Sequence, residues 1–392
     1  MVMTKSSRAM INLMHTLGSF RSQTHRSQEG ALIMVMRTLA MMLVGLLWVS
    51  NAEAATITGV SGPVVHGTTV VITGTSFGAK GGSDPNKPLL WADFETSINP
   101  TSLGVVTAWD NIYSLVRTTG GVQYGLSGSN AVGTWPGSDA RLLDFRVNRA
   151  LTTLYMAGKR RWTNMIYAGG GNSGVKFFRI YADNGGDIVA STSGNGIVLD
   201  ELCIMGNGSL YQPVNFPLNA WHQHEFLWRQ ATSSNCSGDA TGNGYYEFIQ
   251  DGVRSQYIQN FATVPVGSAN FGLGNGIRIF DNYNAPQDAL PDGTKVYEDD
   301  LYLDDTWARV MIGNASTFAA SRIREVQIPT AWANGSITVQ VNRGTFGASA
   351  SAWLYVIDST NTPSAGFPIT FGGGTSDTTP PTAPQNLIIQ VP

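Results

Sequence analysis

Residues 220–230 read AWHQHEFLWRQ, and residues 243–252 read NGYYEFIQDG. Both read as extended strands, with side chains of the two faces alternating along the chain. In the first, Trp221, Gln223, Glu225, Leu227 and Arg229 take one face, and His222, His224, Phe226, Trp228 and Gln230 take the other. The second set ends in two large aromatics and belongs to a core between sheets. The first is polar enough to line an open concave sheet. An antiparallel neighbour turning at Asp251-Gly252 adds Tyr246, Phe248 and Gln250 to the core side. Tyr245, Glu247 and Ile249 then join the polar side, and Arg179 and Tyr181 from VKFFRIYA (175–182) extend it. His222 and His224 would need a third ligand to hold a metal, and His66 lies in another segment, so both read as structural.

Composition supports strands throughout. Glycine is abundant (45 residues) and charged residues make up 13%, which suits short strands joined by Gly, Asn, Ser and Pro turns rather than long helices. Further strands are expected at RALTTLYM (149–156), GIVLDELCIM (196–205), GIRIFDNY (276–283) and VYEDDLYLDD (296–305). Their spacing predicts a two-sheet antiparallel sandwich over 89–307.

Residues 34–54, MVMRTLAMMLVGLLWVSNAEA, combine Arg37, an apolar stretch and a small-x-small end, the pattern of a secretory signal peptide. Residues 1–33 read as a mis-called leader ahead of a start at Met34, a genuine long leader being the alternative. The full chain carries a net charge of −3, and removing 1–54 makes it more acidic. With no basic run, nucleic acid is excluded as a partner. No apolar run of about 18–20 residues follows the signal, so no membrane span is expected after cleavage. Cys203 and Cys236, alone in an exported chain, are most simply a disulfide, with two buried free thiols as the alternative.

Residues 56–78, TITGVSGPVVHGTTVVITGTSFG, resemble the opening of an IPT/TIG immunoglobulin-like domain. IPTAWANGSITVQV (328–341) resembles the end of one. The jelly roll at 89–307 is therefore expected to be inserted between the two parts of an Ig-like sandwich, 55–88 and 308–372. Two small sandwiches flanking the central one are the alternative. The tail, 373–392, is a Thr/Pro linker ending in PTAPQNL, similar to the first strand of a fibronectin type III domain.

The central segment resembles the concanavalin-A-like jelly rolls of lectins, glucanases, polysaccharide lyases and carbohydrate-binding modules. The likeness rests on an early ADFE (92–95), a late YEDDLYLDD (297–305) and the hairpin quoted above. The first and last strands of such domains usually run side by side. That adjacency implies a structural Ca2+ held by Glu95 and Asp300, with carbonyls of FGAKGGSDPNKP (77–88) completing the oxygen shell. An acidic edge strand that deters edge-to-edge pairing is the plainer alternative.

Rings beside carboxylates, amides and guanidinium groups are the chemistry of sugar recognition. The expected partner is an extracellular polysaccharide, bound by Arg179, Tyr181, Gln223, Glu225, Arg229, Tyr245 and Glu247. A solvated face balanced by Glu–Arg pairs competes with this reading. Enzymatic alternatives use the same face: Glu225 and Glu247 as the carboxylates of a hydrolase, or Tyr245 as the base of a lyase. The glucanase E-x-D-x-x-E run is absent. A secreted surface or filament structural protein is the third possibility.

Overall fold

Aromatic and β-branched residues interrupted by Gly, Asn and Asp-Gly turns produce strands: among the described residues the one helical element is a 3-10 turn at Phe318–Ala320. The computed structural model describes residues 54–95, 97–112, 115–116, 125–127, 143–145, 151–162, 176–181, 187–193, 196–201, 210–215, 217–230, 244–261, 277–279 and 295–372. All of these fall in one unit, Ala54–Pro392. The leader, all but the last residue of the signal segment, Cys203, Cys236 and the 373–392 tail lie outside the described residues. No helix among the described residues is long and apolar enough to cross a membrane.

The chain is all-β, an antiparallel β-sandwich of jelly-roll type with a second sandwich at its flank. One jelly-roll sheet, here the inner sheet, runs in the order Val253–Phe261, Gly244–Gln250, His222–Arg229, Thr153–Trp162, Lys295–Asp304. Leu90–Ala92 and Gly125–Ser127 pair with different parts of Lys295–Asp304. The outer sheet centres on Lys176–Tyr181, between Asp187–Ser193 and Ile277–Ile279. The flanking sheet joins Thr56–Ser61 and Thr69–Thr75 to strands from 309–370, through pairing of Val70 with Val339 and Ile72 with Ile337. That sheet closes over its own core of Val70, Ile72, Phe77, Val310, Ile337 and Val339.

The inner sheet is buried on both faces. On one, Phe226 meets Phe178 of the outer sheet at 4.3 Å and Tyr246 at 5.1 Å between ring centroids, and Trp228 and Phe248 are fully buried. On the other, Tyr155, Leu227, Ile249 and Tyr302 pack against Met311, Val326, Tyr355 and Ile357 of the flanking sheet. Burying a large apolar side chain is worth about 1.5–3 kcal/mol. A sheet covered on both sides therefore gains from apolar residues in both registers, as EFLW provides.

The hairpin turns at Asp251 (φ 49°) and Gly252 (φ 66°), the left-handed pair that a two-residue turn of this hand requires. Gly252 has a second constraint: a Cβ there would collide with the Ser321 carbonyl oxygen of the flanking sandwich.

Candidate functional site

Alternation places Gln223, Glu225, Arg229, Tyr245 and Glu247 on one face of the inner sheet, with Arg229 directly opposite Tyr245 and Leu227 opposite Glu247. That face is not an open concave surface. The flanking sheet covers its centre, leaving Glu225 1% and Glu247 3% exposed. Glu225 accepts hydrogen bonds from Tyr155 Oη at 2.9 Å and Arg324 Nη1 at 3.1 Å, and lies 3.7 Å from Arg309 Nη2. Gln223 accepts the Arg324 backbone N–H at 2.9 Å. Glu247 is held by Arg254 Nε and Tyr245 Oη, each at 2.5 Å. The two glutamates proposed as a hydrolytic pair are thus engaged by separate partners. Tyr245, the candidate base, is pushed up by burial and by its bond to Glu247, the wrong direction for deprotonation.

Arg179 and Tyr181 do not share this face. Both sit on Lys176–Tyr181 of the outer sheet, across the Phe178–Phe226 contact from His222–Arg229. Arg179 pairs in register with Arg278 and Val189. The sequence pattern could not separate the two sheets, because both supply strands of the same type.

The histidines are used inside the fold. His222 Nδ1 contacts Asp251 Oδ2 at 2.7 Å, and this bond raises its pKa. His224 is fully buried and held well below its ordinary value by desolvation and the nearby Arg160 guanidinium, so it is neutral.

At the Trp221 end of the same strand, the jelly roll and the flanking sandwich leave a pocket of about 310 Å³ between them. The jelly-roll wall carries Glu95, Lys159, Trp221, Asp299 and Asp300; His66, Asn342, Arg343, Gly344 and Thr345 form the other. Leu90–Ala92 pairs with Leu301–Leu303, which brings Glu95 to the acidic pair. Alternation alone turns Asp299 away from Asp300. A register irregularity between Asp299 and Tyr302, with Asp300 at φ 50°, brings both to the pocket instead.

Lys159 crosses the floor, bonding Asp300 Oδ2 at 2.7 Å and Glu325 Oε2 at 3.0 Å. Burial pulls its pKa down, but the two carboxylates outweigh that and the net shift is upward. Glu325 is raised by burial, partly offset by Lys159, and accepts both N–H and Oγ1–H of Thr345. Asp299 is pushed up to about 8 by burial and then by Asp300, with Glu95 adding to it. Trp221 is half-buried; its ring centroid is 6.4 Å from that of Tyr297, and Arg161 lies 5.5 Å and 4.3 Å from the two ring centroids.

These residues fit a calcium ion poorly. The Lys159 ammonium already neutralises Asp300, and among the described residues no three His, Cys, Asp or Glu side chains converge to hold a metal. The 77–88 loop sends Lys80 inward to Asp304 at 2.7 Å, and none of its residues lines the pocket beside Glu95 and Asp300. The sequence pattern puts Trp221 on the polar face without marking it as a ligand contact, and it does not single out Asn342-Arg343-Gly344-Thr345. The signal available was a Gly-containing turn with two polar donors after an apolar strand, too common to single out.

No family model matches the chain, and no curated protein sequence matches it. Among solved structures, the chain is similar to a variant of alginate lyase Aly36B in complex with alginate trisaccharide, at 10% identity and a TM-score of 0.37. That match covers 56% of this chain and 98% of the other. Endo-β-1,4-glucuronan lyase from the fungus Trichoderma reesei matches at 15% identity and a TM-score of 0.31, covering 51% and 92%. The binding domain of botulinum neurotoxin serotype D/C matches at 12% and 0.36, covering 71% and 73%. The fold is read from sheet topology, and likeness at this level carries no argument about ligand or reaction.

Proposed function

We propose that the chain is an exported polysaccharide-binding module whose ligand enters the pocket between the jelly roll and the flanking sandwich. One observation supports this reading. A half-buried tryptophan backed by Tyr297 and Arg161 stands in a recess of about 310 Å³ whose remaining walls are rich in donors and acceptors. In sugar sites a ring takes the C–H face and polar groups take the hydroxyls. Export through the 34–54 signal and an IPT/TIG-type flank belong to the same proposal. Sequencing the N-terminus of secreted protein, expected to begin at Ala55, checks the first.

Binding is tested by calorimetry against a panel of plant, algal and bacterial polysaccharides. Wild type retains at least one of them, and Trp221→Ala weakens that binding about tenfold or more at an unchanged melting temperature. Equal binding by Trp221→Ala sinks the proposal.

Hydrolysis at the same pocket is the second reading, favoured by Asp299. At about 8 it holds its proton at neutral pH, beside an Asp300 that is ion-paired with Lys159. Two carboxylates with separated environments are the arrangement acid–base chemistry uses. New reducing ends that disappear in Asp299→Asn favour this reading over binding alone.

A further inference from the structure

Outside the pocket, the fold buries a lysine against a carboxyl group. The side chains of Lys80 and Asp304 are 0% and 1% exposed, and Lys80 Nζ lies 2.7 Å from Asp304 Oδ2. An ammonium and a carboxylate are costly in so dry a place, and passing one proton from Nζ to Oδ2 removes both charges. Burial already pushes the Asp304 carboxyl up to about 7, against the opposing pull of Lys80. The pair then consists of a neutral amine beside a carboxylic acid, the two halves of an amide.

We propose that Lys80 and Asp304 condense into an intramolecular amide, so that the protein installs a covalent cross-link in itself. The Asp305 backbone N–H donates to Asp304 Oδ1 at 3.0 Å, where negative charge gathers once Nζ adds to Cγ. Tyr302 Oη, held protonated by burial and by Asp304 itself, donates to Oδ2 at 3.1 Å and serves the oxygen that departs. The Asp84 carbonyl accepts from Nζ at 3.2 Å and matches the single hydrogen that an amide nitrogen retains. The step balances as a condensation: the Nζ–Cγ bond forms and the Cγ–Oδ2 bond breaks. One water leaves, made of Oδ2 and two hydrogens of the ammonium group, and no co-reactant is consumed. The backbone on both sides is fixed, since Thr306 Oγ1 donates to the Lys80 carbonyl at 2.7 Å and the Ser83 N–H to Asp305 Oδ1 at 2.8 Å. Well-oriented groups held in one molecule react with an effective molarity of about 10⁵–10⁸ M, which offsets the preference of amines and acids in water to stay apart.

Lys159 lies equally close to Asp300 but is a poorer nucleophile. Burial pulls its pKa down, yet Asp300 and Glu325 together outweigh burial and hold its proton in place. The position of the Lys80 pair also gives the bond a purpose. Lys80 lies between Thr69–Thr75 of the flanking sheet and Leu90–Ala92 of the jelly roll, and Asp304 ends Lys295–Asp304, ahead of Arg309–Gly313. The amide ties together the two passages of the chain between the sandwiches and closes residues 80–304 into a ring, so that a pull on the flanking sandwich bypasses the jelly roll.

The test is intact-mass spectrometry of the full chain, denatured and reduced so that any disulfide is open. Wild type is expected to be one water lighter than its sequence requires, and its protease digest to contain a branched peptide joining Lys80 to Asp304. Lys80→Arg keeps a cation for Asp304 but does not condense. It is expected at full mass, and behind wild type on a denaturing gel because its unfolded chain is no longer a ring. Freshly synthesised Tyr302→Phe is expected to lose its water about tenfold or more slowly than wild type. Wild type that keeps its full mass after prolonged incubation at neutral pH overturns the proposal, as does a water loss that persists in Lys80→Arg. Should Lys80→Arg fail to fold, the wild-type digest decides alone: the branched peptide supports the amide, and separate linear peptides refute it.

Discussion

Glu225 separates the reading of an open sugar face from that of a covered one. Its carboxylate sits in the layer between the inner and flanking sheets, 3.1 Å from Arg324, 3.7 Å from Arg309 and 2.9 Å from the Tyr155 hydroxyl. Glu225→Ala leaves two guanidinium groups, no more than 5% exposed, without their shared counter-charge. Both keep carbonyl partners: Arg324 bonds Ser321, Gly252 and Phe318, and Arg309 bonds Trp307. Their charge is nevertheless unmatched. Breaking a buried ion pair costs about 3–5 kcal/mol, and the lost tyrosine bond adds about 1. Against a total stability of about 5–15 kcal/mol this is roughly a quarter or more of the whole. Glu225→Gln keeps the shape and one acceptor oxygen, and is expected to lose about half as much. Arg229→Ala, at the exposed end of the same face, is expected to stay within about 0.5 kcal/mol of wild type. Urea unfolding at pH 7, followed by tryptophan fluorescence with a common m-value, measures all three. Should Glu225→Ala unfold within about 1 kcal/mol of wild type and instead lose polysaccharide binding, the face is open and the layered arrangement is wrong.

Three other outcomes follow from the packing. Gly344 sits at φ 52°, and a Cβ there would overlap the Glu325 carboxyl group, so Gly344→Ala should lower the melting temperature and weaken ligand binding together; an unchanged protein refutes the role given to the 342–345 turn. Glu298 is fully buried against Arg160, and burial outweighs the guanidinium, pushing it up to about 7. A carboxyl raised in the folded state favours folding below its unfolded value and loses that contribution as pH climbs through the folded one, so Glu298→Gln should remove a fall of roughly 3 kcal/mol between about pH 4.5 and 7.5; parallel pH–stability curves for the two proteins contradict it. Calcium and chelator should give superimposable melting curves, because Lys159 already compensates Asp300; a calcium-dependent rise abolished by Glu95→Gln restores the metal.

Local pattern revealed the strands but not what covers them. VKFFRIYA and VYEDDLYLDD correspond to Lys176–Tyr181 and Lys295–Asp304, and the Asp251-Gly252 turn falls where its residues demand. The strand expected at 149–156 starts later and runs on to Trp162. Lys159, Arg160 and Arg161 lie beyond the strand expected at 149–156, yet Lys159 and Arg160 are stabilised by Asp300 and Glu298, well over a hundred residues away. Polar residues at alternate positions look the same whether they meet solvent or a second polar layer. Glu225 needs Arg324 to be interpreted, and nothing in AWHQHEFLWRQ indicates that a guanidinium from another sandwich will lie over it.

The pocket depends on how firmly the two sandwiches are set against each other, and their interface is more than an apolar one. The connection at 77–88 is threaded between them: Lys80 pairs with Asp304 at 2.7 Å with both side chains buried, and Thr306 Oγ1 bonds the Lys80 carbonyl at 2.7 Å. Ser83 donates its N–H to Asp305 at 2.8 Å, and Trp332 Nε1 donates to the Gly78 carbonyl at 3.1 Å. Apolar burial is non-directional, so it holds two layers together without selecting partners atom by atom. Buried charges cannot slide, since a displacement of a few ångströms takes Glu225 away from Arg324 and Arg309, and Lys159 away from Glu325, in a medium that solvates them poorly. The ionic groups therefore contribute less to the strength of docking than to its register. A fixed register is what a pocket divided between two sandwiches requires, because Trp221 and Arg343 line one recess only while the layers that carry them stay in place.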